Sequence, residues 1–391
     1  MRTHCRACNA LLGHTILDLG TQPPSNMFRH EEYLGVLQFP LAVAQCTKCT
    51  LLQLTYDVDP SYIFHGEYPL HSSKGSAQWL RHVKRLCHQL EEGFGLSKGS
   101  QVIEIGSNDG YLLRNLSPSC RVLGIDPTGI PADVPTIKGY FSTELSYDLP
   151  MADVVIALNT VAQIPDLRDF FRALARVLKL TGVAILEFPN LVTTINETQF
   201  DTIYHEHYSY LSVQALQHIL PAFGLSVYHV EKLETHGGSL RVYIGTGVTP
   251  HESVAAQVLE ESALDLYAFE QRVKKIRSEF NHFMTTSEFV DAKVCAYGAA
   301  ARGNTFLNYC RPYWCEYHKL PMIADINPEK IGKFAPGTSI PIVSEEDLIA
   351  AEPDYILLLC WTWKDEAVKR LRNRGYKGAF VTAIPQLEVF S

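Results

Sequence analysis

The chain has 391 residues, of which 46% are hydrophobic and 19% are charged, and its formal net charge is −8. This length exceeds what one hydrophobic core usually organises, so we expect two or three globular domains. The acidic balance and the lack of clustered Lys and Arg argue against binding to nucleic acid or to an anionic membrane, because both need concentrated positive charge.

Two pairs of cysteines mark the N-terminal segment, for which we expect a domain over residues 1–72. Cys5 and Cys8 form one C-x-x-C pair, and Cys46 and Cys49 form the other, with 37 residues between the pairs. Four thiolates satisfy a structural Zn²⁺ and leave no open position for chemistry, so we predict a zinc-stapled domain, with a redox C-x-x-C pair as the alternative. No signal peptide precedes these pairs, and the apolar runs are too short to span a bilayer, so we expect a cytoplasmic protein.

Residues 73–250 alternate between helical and strand patterns. A helical period covers residues 76–96, and residues 101–116 indicate a buried strand, a tight turn and a helix. Strands over 120–128 and 152–160 follow, then a helix that ends at Gly182 and a strand over 183–190. This alternation predicts a parallel doubly wound, Rossmann-like sheet, which an antiparallel hairpin over residues 226–245 completes.

Residues 251–391 form the third predicted unit. A long charged helix without Pro or Gly is expected over residues 251–288, as a bridge into a second Rossmann-like α/β pattern. The first turn of that pattern carries Gly298, Arg302 and Gly303. Because Arg302 is positive, this turn is the better candidate for a phosphate-bearing ligand, and a purely structural turn is the alternative. The predicted fold class is therefore α/β, with a small zinc-binding domain before two Rossmann-like domains.

A glycine loop follows the first strand of the central unit. Gly106 and Gly110 allow the backbone to approach a ligand, and Asp126 at the end of the next strand can accept both hydroxyls of a ribose. A dinucleotide needs G-x-G-x-x-G for its pyrophosphate, whereas this loop has Asn108 and the acid Glu104. Negative charge suits a sulfonium cation, so we predict S-adenosylmethionine (SAM) rather than NAD, with a loop that binds nothing as a third possibility.

The stretch "DTIYHEHYSYLS", residues 201–212, is polar and aromatic and follows a strand at the edge of the sheet where the glycine loop opens. His207, Glu206 and Tyr204 could supply a proton acceptor, a group that orients it, and a hydroxyl for an oxyanion. A metal site that uses His205 with His207 is one alternative, and a polar loop without a role is another.

Six motifs that keep their order over nearly the whole chain resemble the SAM-dependent sugar C-3 methyltransferases of deoxysugar biosynthesis, of the kijanose and tetronitrose type. They are the paired C-x-x-C, "EIGSNDGYLL", "YHEHYSY", "HGGSLRVY", "GAAARGNTFLNYC" and "INPEKIGKFAPGTSIPI". The resemblance implies that a base removes the C-3 proton of a nucleotide-linked 4-keto-6-deoxyhexose, linked to dTDP or GDP, and that the enolate takes a methyl group from SAM. The alternatives are an O- or N-methyltransferase and a non-catalytic binding protein.

The resemblance also assigns site residues. The catalytic set is His207, Tyr204, Glu206 and Tyr68. The cofactor-binding set is Glu104, Gly106, Asn108, Gly110, Asp126 and Asn159. The expected substrate-binding set is Gln163, Asn190, His236, Ser239, Arg241, Arg302 and Asn304. The family commonly has a histidine at the position of Gln163, so we expect a hydrogen bond there rather than proton transfer. We expect a monomer or a small homo-oligomer.

Overall fold

Three β-sheets organise the chain in a computed structural model, which describes residues 1–30, 37–64, 73, 77–286, 291–314 and 320–391. The strands are β1 Leu12–Gln22, β2 Phe39–Cys46, β3 Leu52–Leu54, β4 Gln101–Ile105, β5 Arg121–Asp126, β6 Thr136–Lys138, β7 Ala152–Leu158, β8 Leu178–Pro189, β9 Ser209–Tyr210, β10 Ser226–Leu233, β11 Ser239–Gly245, β12 Val294–Tyr297, β13 Ile323–Ala324, β14 Ile342–Val343, β15 Tyr355–Leu358, β16 Ala379–Thr382 and β17 Glu388–Phe390. The α-helices are α1 Pro60–Ile63, α2 Ala77–Gly93, α3 Leu167–Val177, α4 Leu191–Asn196, α5 Val213–Ile219, α6 Glu252–Ser262, α7 Leu266–Thr285, α8 Ala301–Trp314, α9 Glu345–Ala350 and α10 Lys364–Asn373.

The N-terminal sheet is antiparallel, and its strands lie in the order β1, β2, β3, β9. Its last strand, β9, comes from the polar stretch of the central unit, because Leu52 pairs with Tyr210 and Gln53 pairs with Ser209. Since β9 begins two residues after His207, the N-terminal sheet holds one end of the predicted catalytic segment.

The central sheet has the order β10, β11, β8, β7, β4, β5, β6. Strands β4 to β8 run parallel to one another, whereas β11 is antiparallel to β8 and pairs with β10 as a hairpin. The predicted doubly wound sheet with a closing hairpin is therefore confirmed. Because the carboxyl ends of β4, β5, β7 and β8 share one edge, the loops that follow these strands meet there.

Two helix predictions in the central unit are wrong, one because only a short turn forms and one because the helix ends earlier. After β4 only a short 3₁₀ turn forms, over Leu113–Asn115, and the chain then reaches Pro118, which disfavours helix in the residue before it. Helix α3 ends at Val177 rather than at Gly182, because Leu178 already pairs with Ala152 in the sheet. Gly182 lies inside β8, where a Cβ atom would approach the carbonyl oxygen of Ala152 to 2.9 Å.

The single bridging helix predicted over residues 251–288 is also wrong, because the structure has two helices there, α6 and α7. Asp265 is the N-cap of α7, because its side chain accepts a 2.8 Å hydrogen bond from the N–H of Ala268. Helix α6 packs on the central sheet, where Ser253 accepts a bond from the N–H of Val230. The apolar face of α7, which includes Phe280, contributes instead to a core that also contains residues of β1 and of the C-terminal unit.

The C-terminal sheet has the order β14, β13, β12, β15, β16, β17, and all neighbours are parallel except β17. Gly298 follows β12 with φ near +95°, and α8 begins at Ala301. This strand, glycine turn and helix confirm the second Rossmann-like unit. Among the described residues, no helix combines the length and the apolar character that crossing a lipid bilayer requires.

Asp265→Ala is expected to lower the free energy of unfolding by about 1 kcal/mol, because it removes the hydrogen-bonding cap of α7. The measurement is urea denaturation followed by circular dichroism. Gln271→Ala, an exposed change within the same helix, is the control and should have no comparable effect. Equal midpoints for the two variants would contradict the capping role.

Candidate active site

A cavity of about 410 Å³ opens at the carboxyl edge of the central sheet. The glycine loop after β4, the end of β5 and the turn after β7 supply Gly106, Asp126 and Asn159 to its wall. Trp79 of α2 and Trp363, which precedes α10, also line this cavity. The predicted cofactor loop therefore faces a space that is enclosed in part by apolar rings.

The glycine loop has a backbone that few other residues could adopt. Gly106 has φ near +73°, and a Cβ atom there would lie 2.2 Å from Oγ1 of Thr160. Asn108 has φ near +52°, and its N–H donates a 2.8 Å hydrogen bond to Oδ2 of Asp126. The other oxygen of Asp126 accepts a 2.9 Å bond from the N–H of Thr128. These bonds fix the Asp126 carboxylate at the wall of the cavity.

The residues around this loop fit SAM. Oε2 of Glu104, Oγ of Ser107 and Oδ1 of Asp109 are buried and have no hydrogen-bond partner among the described residues. Buried polar atoms are normally paired, but none of these three residues lines the cavity, so the loop presents Gly106, Asn108 and the Asp126 carboxylate to a ligand. Burial, together with the negative charges of Asp126 and Asp109, raises the pKa of Glu104 well above its usual value. A cationic ligand would relieve this accumulation of acids.

A second cavity, of about 350 Å³, adjoins the first. Asn159, Gln163, His236 and Trp363 line both cavities, so they mark the junction between them. The rest of the second wall joins the stretch Tyr204–His207 of the central unit to residues of the C-terminal unit. The second cavity therefore lies where a substrate could meet a bound cofactor.

Tyr204 and His207 form a hydrogen-bonded pair on the wall of the second cavity. Nδ1 of His207 lies 3.0 Å from the carbonyl oxygen of Thr202, so this nitrogen carries the proton and donates it. Nε2 is then an acceptor, and it lies 2.9 Å from the hydroxyl of Tyr204. Burial lowers the pKa of His207 to about 4 and raises that of Tyr204. The imidazole is therefore neutral at pH 7.

Glu206 faces the same cavity and is 2% exposed. Its carboxylate accepts hydrogen bonds of 2.8 and 2.9 Å from Nδ2 of Asn26. Asn26 belongs to the N-terminal unit, so three parts of the chain contribute to this wall. His205, in contrast, is fully buried and packs edge-on against Phe39, with the ring centres 6.0 Å apart. Since His205 and His207 face different surroundings, the alternative of a two-histidine metal site is not supported.

Two cations on the second wall have their own acidic partners. Arg302 lies 3.0 Å from Oδ1 of Asp201 and also donates to the carbonyl oxygen of His236. Lys330 lies 3.3 Å from Oδ2 of Asp325 and donates a 2.7 Å bond to a backbone carbonyl. The wall is therefore polar and rich in charge, but much of its positive charge is compensated.

Four predicted substrate residues line neither cavity, and their side chains bond to other parts of the fold. Asn190 caps α4 by accepting a 3.0 Å bond from the N–H of Val192. Ser239 donates to the carbonyl oxygen of Thr235, and Asn304 donates to that of Ser25. The remaining residue is Arg241, whose guanidinium is 2.6 Å from the buried carboxylate of Glu187. Each side chain thus makes at least one bond within the fold, and Oδ1 of Asn304 is buried without a partner among the described residues.

Two predicted cofactor residues shape the glycine loop without lining the cavity. Glu104 is buried beneath the loop, and a Cβ atom at Gly110 would lie 2.5 Å from Val134. Gln163, His236 and Arg302 do line the second cavity, as predicted for substrate residues. The predicted catalytic Tyr68 lies outside the described residues.

Several wall residues were not identified from the sequence. They are Asn26, Trp79, Lys330, Trp361 and Trp363. Lys330 lies within the motif "INPEK", which could have indicated it as a basic group near a phosphate. The tryptophans and Asn26 carry no local signal, because they reach the cavities only through contacts between distant parts of the chain.

The four paired cysteines form one cluster. Their sulfur atoms all lie within 4.8 Å of one another, with Cys5 and Cys49 3.6 Å apart and Cys8 and Cys46 3.4 Å apart. Zn–S bonds of about 2.3 Å in a tetrahedron require sulfur separations of about 3.8 Å, so the cluster fits zinc. The hydrogen bond between Cys5 and Cys49 lowers the pKa of Cys5 and raises that of Cys49, so one thiolate and one thiol share this contact when no metal is bound.

Comparison with protein families gives three matches along the chain. Residues 5–64 match a model described as a "zinc binding domain", residues 78–230 match "Methyltransferase domain", and residues 234–385 match "C-methyltransferase C-terminal domain". The chain is also 30% identical to C-methyltransferase NovU of Streptomyces niveus, over 99% of this chain and 96% of NovU.

Two solved structures are similar to part of the chain. Magnesium protoporphyrin IX methyltransferase of Synechocystis PCC 6803, with bound S-adenosylhomocysteine (SAH), is 16% identical over 43% of this chain and 83% of its own, with a TM-score of 0.34. The protein PH0226 of Pyrococcus horikoshii OT3 is 15% identical over 46% of this chain and 96% of its own, with a TM-score of 0.36.

Gly106→Ala is expected to weaken SAH binding by at least about tenfold, because the new methyl group would meet Thr160 and the residue would keep a left-handed backbone. Isothermal titration calorimetry with SAH measures this change. Gly95→Ala is the matched control, since Gly95 also has a positive φ, near +59°, but has open space around its Cβ position. Similar losses of affinity in both variants would show that backbone strain alone is responsible.

Acid should destabilise the protein partly through His205. Burial lowers its pKa from 6.5 to about 4, so below pH 6.5 the unfolded chain binds a proton that the folded chain does not. Between pH 6.5 and 4 this one group should therefore remove up to about 1.4 kcal/mol of stability per pH unit. In urea denaturation, His205→Gln should flatten the pH dependence in that window, whereas His14→Gln, an exposed change, should not. Parallel profiles for the wild type and His205→Gln would contradict this account.

Proposed function

Because the chain belongs to the C-methyltransferase family, we propose that it methylates C-3 of a nucleotide-linked 4-keto-6-deoxyhexose. The family matches make it a SAM-dependent enzyme with a zinc-binding N-terminal domain. Beyond these matches, we propose the position of the methyl group and the class of acceptor. The observation that carries it is the hydrogen-bonded pair of Tyr204 and His207, which lies on the cavity next to the cofactor cavity.

Methylation at carbon needs a carbon acid. A ketone at C-4 acidifies the proton at C-3, since the negative charge that remains moves onto the ketone oxygen. The enzyme must then supply a base for the proton and donors for the oxygen. Transfer to an oxygen or a nitrogen does not need the loss of a C–H proton. A neutral imidazole whose acceptor nitrogen is hydrogen-bonded to a phenol on the cavity wall matches the first requirement.

His207 is the base in this proposal. Its Nδ1 proton is committed to the carbonyl oxygen of Thr202, so only Nε2 can accept a proton. The hydroxyl of Tyr204 donates to that nitrogen and Tyr204 also lines the cavity, so the hydroxyl can relay a proton from the substrate to Nε2. Because burial disfavours imidazolium, protonation of His207 becomes favourable only beside the negative charge of the enolate.

The cofactor supplies an electrophilic methyl group when bound. Asp126 and the Gly106 turn would hold its ribose and amino-acid portions in the first cavity, which both of them line. Gln163 and His236 lie at the junction of the cavities, where they can position the sugar ring and restrict water. Gln163 forms hydrogen bonds in this role, because an amide side chain does not act as an acid or a base at neutral pH.

The nucleotide diphosphate, linked as dTDP or GDP, is assigned to the C-terminal side of the second cavity. Arg302 and Lys330 provide positive charge there, and Ala301 at the N-terminus of α8 lines the same wall. Free N–H groups and the dipole at a helix N-terminus favour phosphate. Trp361, whose ring lies 4.9 Å from the Arg302 guanidinium, supplies an aromatic surface beside these charges.

Deuterium exchange at C-3 separates this reaction from its alternatives. Wild-type protein with SAH and a panel of dTDP-, GDP- and UDP-linked 4-keto-6-deoxyhexoses in D₂O should exchange the C-3 proton of one acceptor, as followed by NMR. With SAM, the same acceptor should gain a methyl group on carbon. His207→Asn should lower the exchange rate by at least about 100-fold while SAH affinity is retained, because the acceptor nitrogen is lost.

His205→Asn is the matched control for that variant. The control removes an imidazole two residues away that faces Phe39 rather than the cavity, so exchange should be retained. A methyl group on oxygen or nitrogen without C-3 exchange would favour an O- or N-methyltransferase. Tight binding of the nucleotide sugar with neither exchange nor transfer would favour a non-catalytic protein. Full exchange by His207→Asn would remove His207 from the role of base.

A further inference from the structure

Arg6 lies inside the first C-x-x-C pair, between the zinc ligands Cys5 and Cys8, and its side chain is fully buried. We propose that Arg6 is a positioning residue, which transmits the fixed geometry of the zinc site to the two loops that form the active site. This inference rests on the function proposed above, because it concerns the rate of that reaction. The contacts of Arg6 carry it.

The first contact is with the loop after β7. Nη1 of Arg6 donates a 3.0 Å hydrogen bond to the carbonyl oxygen of Pro165, a residue that lines the cofactor cavity. In return, Nη1 of Arg168 donates a 3.2 Å bond to the carbonyl oxygen of Ala7, which is also between the zinc ligands. This loop also carries Gln163, two residues before Pro165, at the junction of the cavities. The loop between Cys5 and Cys8 is therefore bonded both to the loop after β7 and to the first turn of α3.

The second contact is with the segment that carries His207. The guanidinium carbon of Arg6 lies 5.3 Å from the ring centre of Tyr208, the residue that follows His207. Tyr208 is fully buried, and its hydroxyl donates a 2.7 Å bond to the carbonyl oxygen of Val58. A cation held over an aromatic face without water between them is a strong constraint on the ring. Arg6 thus fixes the backbone beside the proposed base.

The third contact pairs the positive charge of Arg6 with a carboxylate. Nη2 of Arg6 lies 2.7 Å from Oδ1 of Asp57, and Arg2 binds the other oxygen of the same carboxylate. A planar guanidinium can bond to Asp57 and to Pro165 while its face rests on Tyr208, which an ammonium group cannot do. The side chain of Arg2 is 32% exposed and bonds to Asp57.

These contacts join the cysteine cluster to two segments that border the cavities. Zinc would fix the backbone of the loop between Cys5 and Cys8, because four thiolates bind one ion. From this point Arg6 reaches both the loop of Pro165 and the segment of Tyr208. An error of about 1 Å between a base and its substrate can cost about 100-fold in rate, so a loss of these contacts should appear mainly in catalysis.

The test compares three variants of the full-length protein loaded with zinc. Arg6→Gln should lower kcat for C-3 exchange and for methyl transfer by between about tenfold and 100-fold, with KM changed far less. Zinc content by mass spectrometry and SAH affinity should stay at wild-type values. Arg6→Lys keeps the charge but not the planar fork, so it should restore only part of kcat. Arg2→Gln removes the neighbouring partner of Asp57 and should leave all four quantities unchanged.

Each other outcome contradicts the inference. If Arg6→Gln loses zinc and SAH binding together, Arg6 maintains the fold rather than the alignment of the loops. If its kcat matches that of Arg2→Gln, the contacts with Pro165 and Tyr208 have no catalytic consequence. Absence of exchange and transfer in the wild-type protein, with every acceptor, would instead contradict the proposed function. The wild-type control therefore separates the two failures.

Discussion

The pairing of β9 with β3 is the constraint on which the rest of the active site depends. It makes Ser209 and Tyr210, from the central unit, the last strand of the N-terminal sheet. The stretch from Tyr204 to His207 is consequently held between two units instead of extending as a free loop. From the N-terminal side Asn26 bonds to Glu206 and Arg6 contacts Tyr208, and from the C-terminal side Arg302 pairs with Asp201. The cavity is thus assembled from all three units.

Local patterns predicted the features that depend on residues near one another in sequence. The cysteine spacing, the strand-to-glycine turn at Gly106 and the hairpin at β10 and β11 are of this kind, because turn chemistry and alternation fix them locally. The resemblance identified Tyr204 and His207 as candidates, but it did not predict the tautomer of His207 that their hydrogen bonds select. That tautomer depends on the carbonyl oxygen of Thr202, whose position only the folded chain defines.

The failures have a common physical cause. A polar side chain in a motif can bind a ligand or satisfy the fold, and the sequence alone does not separate these roles. Arg241 illustrates this, because its motif suggested a substrate charge whereas its partner is Glu187, 54 residues away in sequence. Asn190 likewise caps a helix. The break between α6 and α7 was missed for a related reason, since Asp265 reads as one more charged residue unless the capping bond is known.

The acidic partners of Arg302 and Lys330 have a consequence for turnover. A diphosphate that enters the second cavity must draw these cations partly away from Asp201 and Asp325, so it exchanges one anionic partner for another. Much of the attraction is offset by that exchange, which limits how long the ligand stays bound. In the proposed reaction the new methyl group leaves the phosphate charges unchanged, so these contacts hold reactant and product alike. Any preference for releasing the product must therefore arise around the sugar ring, near Tyr204, where the added carbon takes up space.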